Sequence, residues 1–235
     1  MIKELKKIKF IAEVGMNHNG NFDLSFELIK QAKASGASAV KFQIGWRDKP
    51  GELNQIDDKI VKKLIEIAKY FEIEIFFSII NENGFNILKK YNFDTYKVAS
   101  RTVKENFQLA KKIIGLKKNT IVSLGFWNKK NIPFKKNSKV SYLFCISKYP
   151  TYPWEIKKFP KNFTKSIYDG YSDHTVGIDM CILAVSRGAK IIEKHFTLDK
   201  SDTSIRDHAL SATPDEFKTM VDICEEINKK LHLKV

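Results

Sequence analysis

The chain has 235 residues, 43% of them hydrophobic, which is enough to bury the core of one α/β barrel of about 250 residues. Its 41 basic and 27 acidic residues give a net charge of +14, but the lysines are spread along the chain without a DNA-recognition helix or an RNA-binding aromatic motif. We therefore expect no nucleic-acid partner, and a lysine-rich solvated surface whose field favours an anionic small substrate.

The apolar run near the start of the chain is short, because Glu13 interrupts it. This argues against a signal peptide, and no stretch approaches the roughly 18 apolar residues of a membrane span. The three cysteines, Cys145, Cys181 and Cys224, have no CxxC or paired spacing. These features predict a cytoplasmic protein with free thiols, no membrane partner, and a single domain over residues 1–235.

Eight short apolar segments have the length and the residue types of strands. In chain order they are Phe10–Gly15, Ala39–Gln43, Ile73–Ile79, Thr95–Ser100, Thr120–Gly125, Val140–Ser147, Ile167–His174 and Lys190–Phe196. Helical patterns separate most of them, and one follows the last: Phe22–Ser35, Asp57–Phe71, Gly84–Tyr91, Phe107–Ile114, Ile178–Arg187 and Pro214–Leu231.

The fifth and sixth connections lack a clear helical pattern. Residues 126–139 hold Pro133 among several Lys and Asn residues, and residues 149–166 are interrupted by three prolines. Alternating strands and helices predict a parallel sheet, and this length favours closure into a (β/α)8 TIM barrel with a short or absent fifth helix. An open doubly wound sheet is the alternative, weakened because no GxGxxG or GKS/GKT loop follows a strand.

Polar side chains occupy the carboxyl ends of the predicted strands. Because alternate strand residues share a face, each of the following pairs points to one side: Glu13 with Gly15, Lys41 with Gln43, Ser123 with Gly125, Cys145 with Ser147, Ser172 with His174, and Glu193 with His195. Taken singly, each has a structural explanation, such as a hydrogen bond or an ion pair. Their coincidence at the end where barrel enzymes place active sites predicts a catalytic cavity.

His174 and His195 follow neighbouring strands, so a closed barrel brings their imidazoles together. Two neutral imidazoles can hold a divalent metal ion, although the spacing alone is a weak signal. Water, Glu13, Glu193, Asp207 or a substrate oxygen would complete the coordination shell and leave room for Lewis-acid chemistry.

Several segments together resemble the sialic acid synthases, which condense phosphoenolpyruvate with an N-acetylated mannose-type sugar. The matching segments are Ala12-Glu13-Val14-Gly15, Asn17-His18-Asn19-Gly20, Val40-Lys41-Phe42-Gln43, Tyr96-Lys97-Val98-Ala99-Ser100, Ile121-Val122-Ser123-Leu124-Gly125, Tyr149-Pro150-Thr151, Gly170-Tyr171-Ser172-Asp173-His174-Thr175, Ile192-Glu193-Lys194-His195-Phe196 and Asp207-His208. They occur in order over almost the whole chain, and their combination is far more specific than any one of them.

The resemblance implies a metal-assisted carbon–carbon bond-forming transferase. It implies that His174 and His195 bind a divalent metal, usually manganese, with magnesium or cobalt as alternatives. It implies catalytic roles for Glu13, Glu193 and Lys41. It implies substrate-binding roles for Gln43, Lys97, Ser100, Ser123, Tyr149, Ser172 and Asp207, and the strand-end alternation adds Ser147 to these candidates. The partners would be phosphoenolpyruvate and an N-acylated hexose, and the products a 2-keto-3-deoxy nonulosonic acid and phosphate.

The chain also departs from the family pattern. Members usually continue into an antifreeze-like domain that gives an arginine to the sugar site of a partner subunit, whereas this chain ends at Val235. Arg206 is a candidate substitute, and Phe77-Ser78-Ile79-Ile80 replaces the expected Phe-Ser-Thr-Pro. Two alternatives therefore stay open: a related synthase that uses a phosphorylated aldose, and a non-catalytic relative. A homo-oligomer is compatible with either.

Overall fold

Eight parallel strands close into a barrel in chain order in the computed structural model, which describes residues 7–231. The strands are β1 (Lys9–Gly15), β2 (Ala39–Ile44), β3 (Glu74–Ile79), β4 (Thr95–Val98), β5 (Asn119–Ser123), β6 (Val140–Phe144), β7 (Gly170–Asp173) and β8 (Ile191–His195). This confirms the predicted barrel against the open sheet. Residues 1–6 and 232–235 of the predicted domain lie outside the described residues.

Helices pack around the barrel in most of the connections. They are α1 (Leu24–Ala34), α2 (Asp58–Tyr70), α3 (Glu82–Leu88), α4 (Ser100–Glu105), α5 (Phe107–Gly115), α6 (Asp179–Ser186) and α7 (Pro214–Lys230). Local chemistry sets their starts: the Asp57 carboxylate accepts from the Ile60 N–H at the start of α2, and Thr213 and Glu216 form a capping box at α7. No helix within residues 7–231 is long and apolar enough to cross a membrane.

The fifth connection contains no helix, as predicted, and aromatic packing covers the barrel there instead. The ring of Phe134 lies 5.2 Å from the ring of Phe107, and the ring of Trp127 lies 6.0 Å from that of Phe107. The hydroxyl of Tyr142 on β6 donates to the carbonyl of Phe134 at 2.6 Å. The sixth connection is irregular apart from two short 3₁₀ turns, Pro153–Glu155 and Phe163–Lys165.

The fourth, fifth and sixth predicted strands end two or three residues earlier than expected. The fourth strand stops at Val98, and Ser100 begins α4, whose Thr102 hydroxyl donates to the Ile79 carbonyl at 2.9 Å. The fifth strand stops at Ser123 instead of Gly125, and the sixth stops at Phe144 instead of Ser147. In the fourth and sixth strands the apolar pattern continues past the last ladder hydrogen bond, so periodicity alone overestimates their length.

The barrel interior changes character from one end to the other. Its amino end holds a small apolar cluster of Ile11, Ala39, Phe76, Ile121 and Leu143. Two residues further along the same strands stand Glu13, Lys41, Ser78, Ser123 and Cys145. The larger apolar core lies between the strands and the helices. The fold therefore concentrates its interior polar groups at the carboxyl end of the barrel, where the connections leave an opening.

Candidate active site

A cavity of about 390 Å³ opens at the carboxyl end of the barrel. Every residue that the sequence predicted for the site lines it, from Glu13 on β1 to Asp207 in the segment after β8. The strand-end alternation explains this result, because the parallel strands present their last inward-facing residues to one space. The roles of these residues stay predictions, which the geometry supports to different degrees.

Two lysines and two glutamates form a buried charged quartet on the cavity floor. Lys41 Nζ lies 2.6 Å from Glu13 Oε2 and 3.7 Å from Glu193 Oε2. Lys97 Nζ donates to both carboxylate oxygens of Glu193, at 3.0 and 2.9 Å. All four residues are at most 5% exposed, so these charges interact with little solvent screening.

Serine hydroxyls form hydrogen bonds with some members of the quartet and not with others. Ser172 Oγ donates to Glu193 Oε1 at 2.8 Å, and Lys41 Nζ donates to Ser78 Oγ at 2.9 Å. Glu193 therefore accepts hydrogen bonds from Lys97 and Ser172, while Glu13 has Lys41 as its charged neighbour. The two carboxylates share one cavity floor but not one environment.

This asymmetry separates the pKa values of the two glutamates. The pKa of Glu13 is raised to about 7, chiefly by burial and also by the nearby charge of Glu193, against the opposing effect of Lys41. Burial also acts to raise the pKa of Glu193, but Lys41, Lys97 and the Ser172 hydrogen bond outweigh it and lower that pKa. Glu193 is thus a permanent anion, whereas Glu13 can carry a proton near neutral pH.

The two predicted metal-binding histidines face each other across the mouths of β7 and β8. Their ring centroids are 5.4 Å apart, and burial lowers the pKa of both, so both imidazoles are neutral. His174 Nδ1 lies 2.6 Å from the Ile146 carbonyl, which leaves its Nε2 as the atom with a free lone pair. His195 Nδ1 is buried, has no hydrogen-bond partner, and lies 3.8 Å from Asp207 Oδ2.

This donor set fits a divalent metal ion. Neutral imidazoles are common ligands, a backbone carbonyl orients one of them, and an orphaned ring nitrogen of the other is buried beside a carboxylate. Within residues 7–231 no three His, Cys, Asp or Glu side chains cluster closely enough to hold a metal ion by themselves. The two histidines would therefore leave several coordination positions to water or substrate.

Three predicted serines surround the open part of the floor. The hydroxyls of Ser100, the first residue of α4, and Ser147 lie 2.6 Å apart. The Ser123 hydroxyl at the end of β5 is buried with no hydrogen-bond partner. A Cβ on Gly125 would lie 2.4 Å from Ser147 Oγ, so glycine keeps this pocket open. The unpartnered Ser123 hydroxyl and the Ser100–Ser147 pair line the same cavity as Lys97 and suit an anionic ligand.

The remaining predicted residues form part of the cavity wall. The ring of Tyr149 packs 4.2 Å from that of His174, and the Arg206 guanidinium lies over the Tyr149 ring, 4.8 Å from its centroid. Arg206 Nε is also 3.4 Å from Asp207 Oδ1. Half-buried Gln43 lies on β2 and lines the cavity.

Sequence reasoning missed part of the wall. Trp46, Arg101 and Lys148 line the outer cavity, and the guanidinium of Arg101 stacks 4.7 Å from the Trp46 ring. These residues follow the strands in connections whose path no periodicity describes. A basic or aromatic residue within three positions of a strand end was the available signal.

His18 orders a loop and does not line the cavity. Its Nδ1 accepts from the Gly20 N–H at 3.1 Å, so its Nε2 donates to Asn54 Oδ1 at 3.1 Å. The Asn54 amide in turn donates to the carbonyls of Gln43 and Trp46, both at 2.9 Å. His18 therefore supports the connection after β2, which carries the cavity residue Trp46.

Residues 51–234 match the model of the NeuB family. The chain is 36% identical to the uncharacterized protein MJ1065 of Methanocaldococcus jannaschii, over 94% of this chain and 71% of that protein. It is 32% identical to the N,N'-diacetyllegionaminic acid synthase of Campylobacter jejuni, over 97% of this chain and 78% of that enzyme. The N-acetylneuraminic acid (sialic acid) synthetase of Leptospira borgpetersenii has a similar structure, with a TM-score of 0.84 and 29% identity over 96% of this chain and 85% of that one.

Proposed function

The chain belongs to the NeuB family of sialic acid synthase-type transferases, and from this we propose that it condenses phosphoenolpyruvate with an N-acetylated mannose-type amino sugar. The products would be a 2-keto-3-deoxy nonulosonic acid and inorganic phosphate. The observation that carries the proposal is the cavity itself: two buried lysines, the unpaired hydroxyl of Ser123 and two neutral imidazoles line one open space.

The cavity floor suits phosphoenolpyruvate. Its phosphate and carboxylate need cationic and hydroxyl donors, and Lys41 and Lys97 supply the charge. The Ser123 hydroxyl is buried without a partner, and Ser100 and Ser147 can each turn a hydroxyl toward a bound anion. Ser172 already donates to Glu193, so its part would be to hold that carboxylate against Lys97.

The outer cavity suits the acceptor sugar. A metal ion held by His174 and His195, manganese being the first choice, would supply Lewis-acid polarisation of the sugar aldehyde. Gln43, Tyr149 and Asp207 offer hydrogen bonds to sugar hydroxyls from the surrounding wall. Trp46 and Arg101 add a flat surface and a cation beyond them.

The proposed reaction joins C3 of phosphoenolpyruvate to the aldehyde carbon of the sugar. The aldehyde oxygen takes a proton, water adds at C2, and collapse of the resulting adduct breaks the bond from C2 to the phosphate oxygen. Of the two protons of that water, one replaces the proton given to the aldehyde oxygen and the other leaves with phosphate. Glu13 is the group for the first transfer, because it can be protonated near neutral pH and then act as the base.

A phosphate-release assay tests this function. Phosphoenolpyruvate is incubated with a panel of 2-acetamido sugars, and separately with arabinose 5-phosphate and erythrose 4-phosphate, with Mn²⁺ or with a chelator. We expect phosphate release only with an amino sugar and a divalent ion, and a loss of at least about 100-fold in His195→Ala, typical of a lost metal ligand.

Other outcomes would contradict specific parts of the proposal. Release with a phosphorylated aldose alone would replace the acceptor, and a rate that the chelator leaves unchanged would remove the metal role. Binding of phosphoenolpyruvate with no turnover on any acceptor would identify a non-catalytic relative. Lys62→Gln, an exposed substitution on α2, serves as the matched control and is expected to leave the rate unchanged.

A further inference from the structure

A second buried ion pair lies directly behind the two histidines. On β7 and β8 the side chains alternate, so Asp173 stands between the cavity residues Ser172 and His174, and Lys194 stands between Glu193 and His195. Neither Asp173 nor Lys194 lines the cavity. Lys194 Nζ lies 2.9 Å from Asp173 Oδ2, and both side chains are completely buried.

Every polar atom of this pair has a partner on β7, β8 or α6. Asp173 Oδ1 accepts from the Tyr171 hydroxyl at 2.8 Å, the Thr175 N–H at 2.8 Å and the Thr175 hydroxyl at 2.7 Å. Asp173 Oδ2 accepts from Lys194 and from the Cys181 thiol at 3.3 Å. The carboxylate therefore ties the end of β7 to the turn that follows it and to α6.

The pair stands where the β7–β8 ladder ends. Asp173 and Lys194 are the last paired residues in the register of these strands, and His174 is the next residue after them. Lys194 Nζ also donates to the Thr175 carbonyl at 2.5 Å, one residue beyond His174. The ammonium group thus continues the link between the two strands past the end of the backbone ladder, on both sides of the residue that carries the first imidazole.

Stability alone is a poor reason for such a pair. Desolvating two charges costs several kcal/mol per ion, and apolar residues of similar volume commonly stabilise a fold as well or better. A buried charged pair does, however, restrict the two strands to the one register in which both charges are paired. A slip of one residue would turn Asp173 or Lys194 into the cavity and the histidine beside it into the apolar layer.

We propose that Asp173 and Lys194 are positioning residues that hold His174 and His195 at the separation needed to share one metal ion. The part of this inference that concerns the metal rests on the proposed function. The geometric part stands by itself, because it concerns the placement of two rings. The pair acts from outside the cavity and touches neither substrate nor the reacting atoms.

The test is the double variant Asp173→Asn/Lys194→Met, which removes both charges at nearly constant volume. Two properties are measured besides activity: the ring ¹H–¹⁵N signals of the histidines in metal-free protein, and the dissociation constant for Mn²⁺ alone by electron paramagnetic resonance. We expect the His174 and His195 signals to shift or broaden while the His18 signal stays in place. We expect the Mn²⁺ dissociation constant to rise by about 10- to 100-fold, the usual effect of losing support behind a ligand.

Lys9→Met/Glu74→Gln is the control, because it removes a half-buried lysine–carboxylate pair at the opposite end of the barrel, away from both histidines. It is expected to leave both readouts at wild-type values. Unchanged ring signals together with an unchanged Mn²⁺ constant in the Asp173/Lys194 variant would overturn the proposal. If the wild-type protein itself takes up no Mn²⁺, the metal role in the proposed function is lost, and the ring signals alone decide the positioning role.

A milder variant covers the case in which the double variant does not fold. Thr175→Val removes the hydroxyl that donates to Asp173 Oδ1 and keeps the ion pair. One lost hydrogen bond predicts a change in the same direction, with a Mn²⁺ constant raised about two- to tenfold. Ring signals and Mn²⁺ affinity that match the wild type in this variant would count against the proposal.

Discussion

Glu13 and Glu193 show how neighbouring residues of one type acquire different tasks. Both are buried in the same quartet, yet Glu193 has two strong donors and Glu13 faces a single ammonium group and the like charge of Glu193. The environment, not the residue type, makes one a fixed counter-ion and the other a proton carrier. The sequence showed that both glutamates lie near the carboxyl ends of their strands, but it could not show which one Lys97 would bind.

Replacing each glutamate by glutamine should separate these tasks. Glu13→Gln imitates the protonated side chain, so we expect a folded protein with a melting temperature near that of the wild type and kcat reduced at least about 100-fold. Glu193→Gln leaves Lys97 buried without a counter-ion, and we expect a loss of about 3–5 kcal/mol in the free energy of unfolding. Thermal unfolding and steady-state kinetics on both variants check this.

The pH dependence of kcat/KM tests whether Glu13 must be protonated at the start of the reaction. Because Glu13 must begin the reaction protonated and its pKa is raised to about 7, kcat/KM should fall as the pH rises through that value. The residual activity of Glu13→Gln should lack this limb. Equal stability losses in the two variants, or an unchanged limb in Glu13→Gln, would contradict the division of roles.

At the scale of elements, the barrel was predictable because the strands and all helices except α4 carry their own periodic signals. The strand ends were less so. Val98 ends β4 because the chain turns at Ala99 into α4, a helix of six residues that is too short to have a period of its own. Trp46 and Arg101 were missed for the same reason, since they belong to connections whose path depends on contacts such as those of Asn54. Elements with a repeating residue pattern could therefore be predicted. Connections whose path depends on single tertiary hydrogen bonds could not.

Gly170, the first residue of β7, sets how closely β7 approaches β8. A Cβ at this position would lie 1.9 Å from the Ile191 carbonyl oxygen, which is backbone and cannot move aside without opening the ladder. Gly170→Ala should therefore destabilise the fold by about 3 kcal/mol, at the upper end for overpacking. Because β7 and β8 carry the two histidines, weaker Mn²⁺ binding should accompany the loss of stability.

Gly115→Ala provides the control for that substitution. Gly115 ends α5, and a Cβ there meets nothing within 4 Å. Alanine is the better helix former, so we expect no change or a gain of up to about 1 kcal/mol. Denaturant unfolding of both variants compares the two sites directly, and a Gly170→Ala protein as stable as Gly115→Ala would show that the strands can separate without cost.

At the scale of the whole molecule, the apolar amino end of the barrel supports a layer of charged and polar residues at the carboxyl end. Selection for stability alone would not produce this layer. The small interior cluster around Phe76 and the larger core outside the strands provide the burial. The quartet and the two imidazoles then occupy places where apolar side chains would give the fold a higher free energy of unfolding. Such a layer in an otherwise well-packed fold is typical of a functional site, where stability is lost for activity.

The net charge of +14 acts on this site from a distance. Arg101, Lys148 and Arg206 at the cavity wall extend the positive field outward, and an anionic substrate approaching the mouth is attracted by all of these charges together. Salt screens this attraction, since the Debye length falls from about 30 Å at about 10 mM to about 8 Å at about 150 mM salt. KM for phosphoenolpyruvate should therefore rise several-fold over this range while kcat stays constant.

The acceptor sugar provides the internal comparison for the salt dependence. A neutral amino sugar gains nothing from the field, so its KM should be flat across the same range, whereas a phosphorylated acceptor should follow phosphoenolpyruvate. Initial rates with each substrate varied in turn measure both constants on one protein. A KM for phosphoenolpyruvate that does not change with salt would mean that only the buried lysines, Lys41 and Lys97, attract this substrate. The basic surface residues would then serve only to keep the surface hydrated, with no part in attracting the substrate.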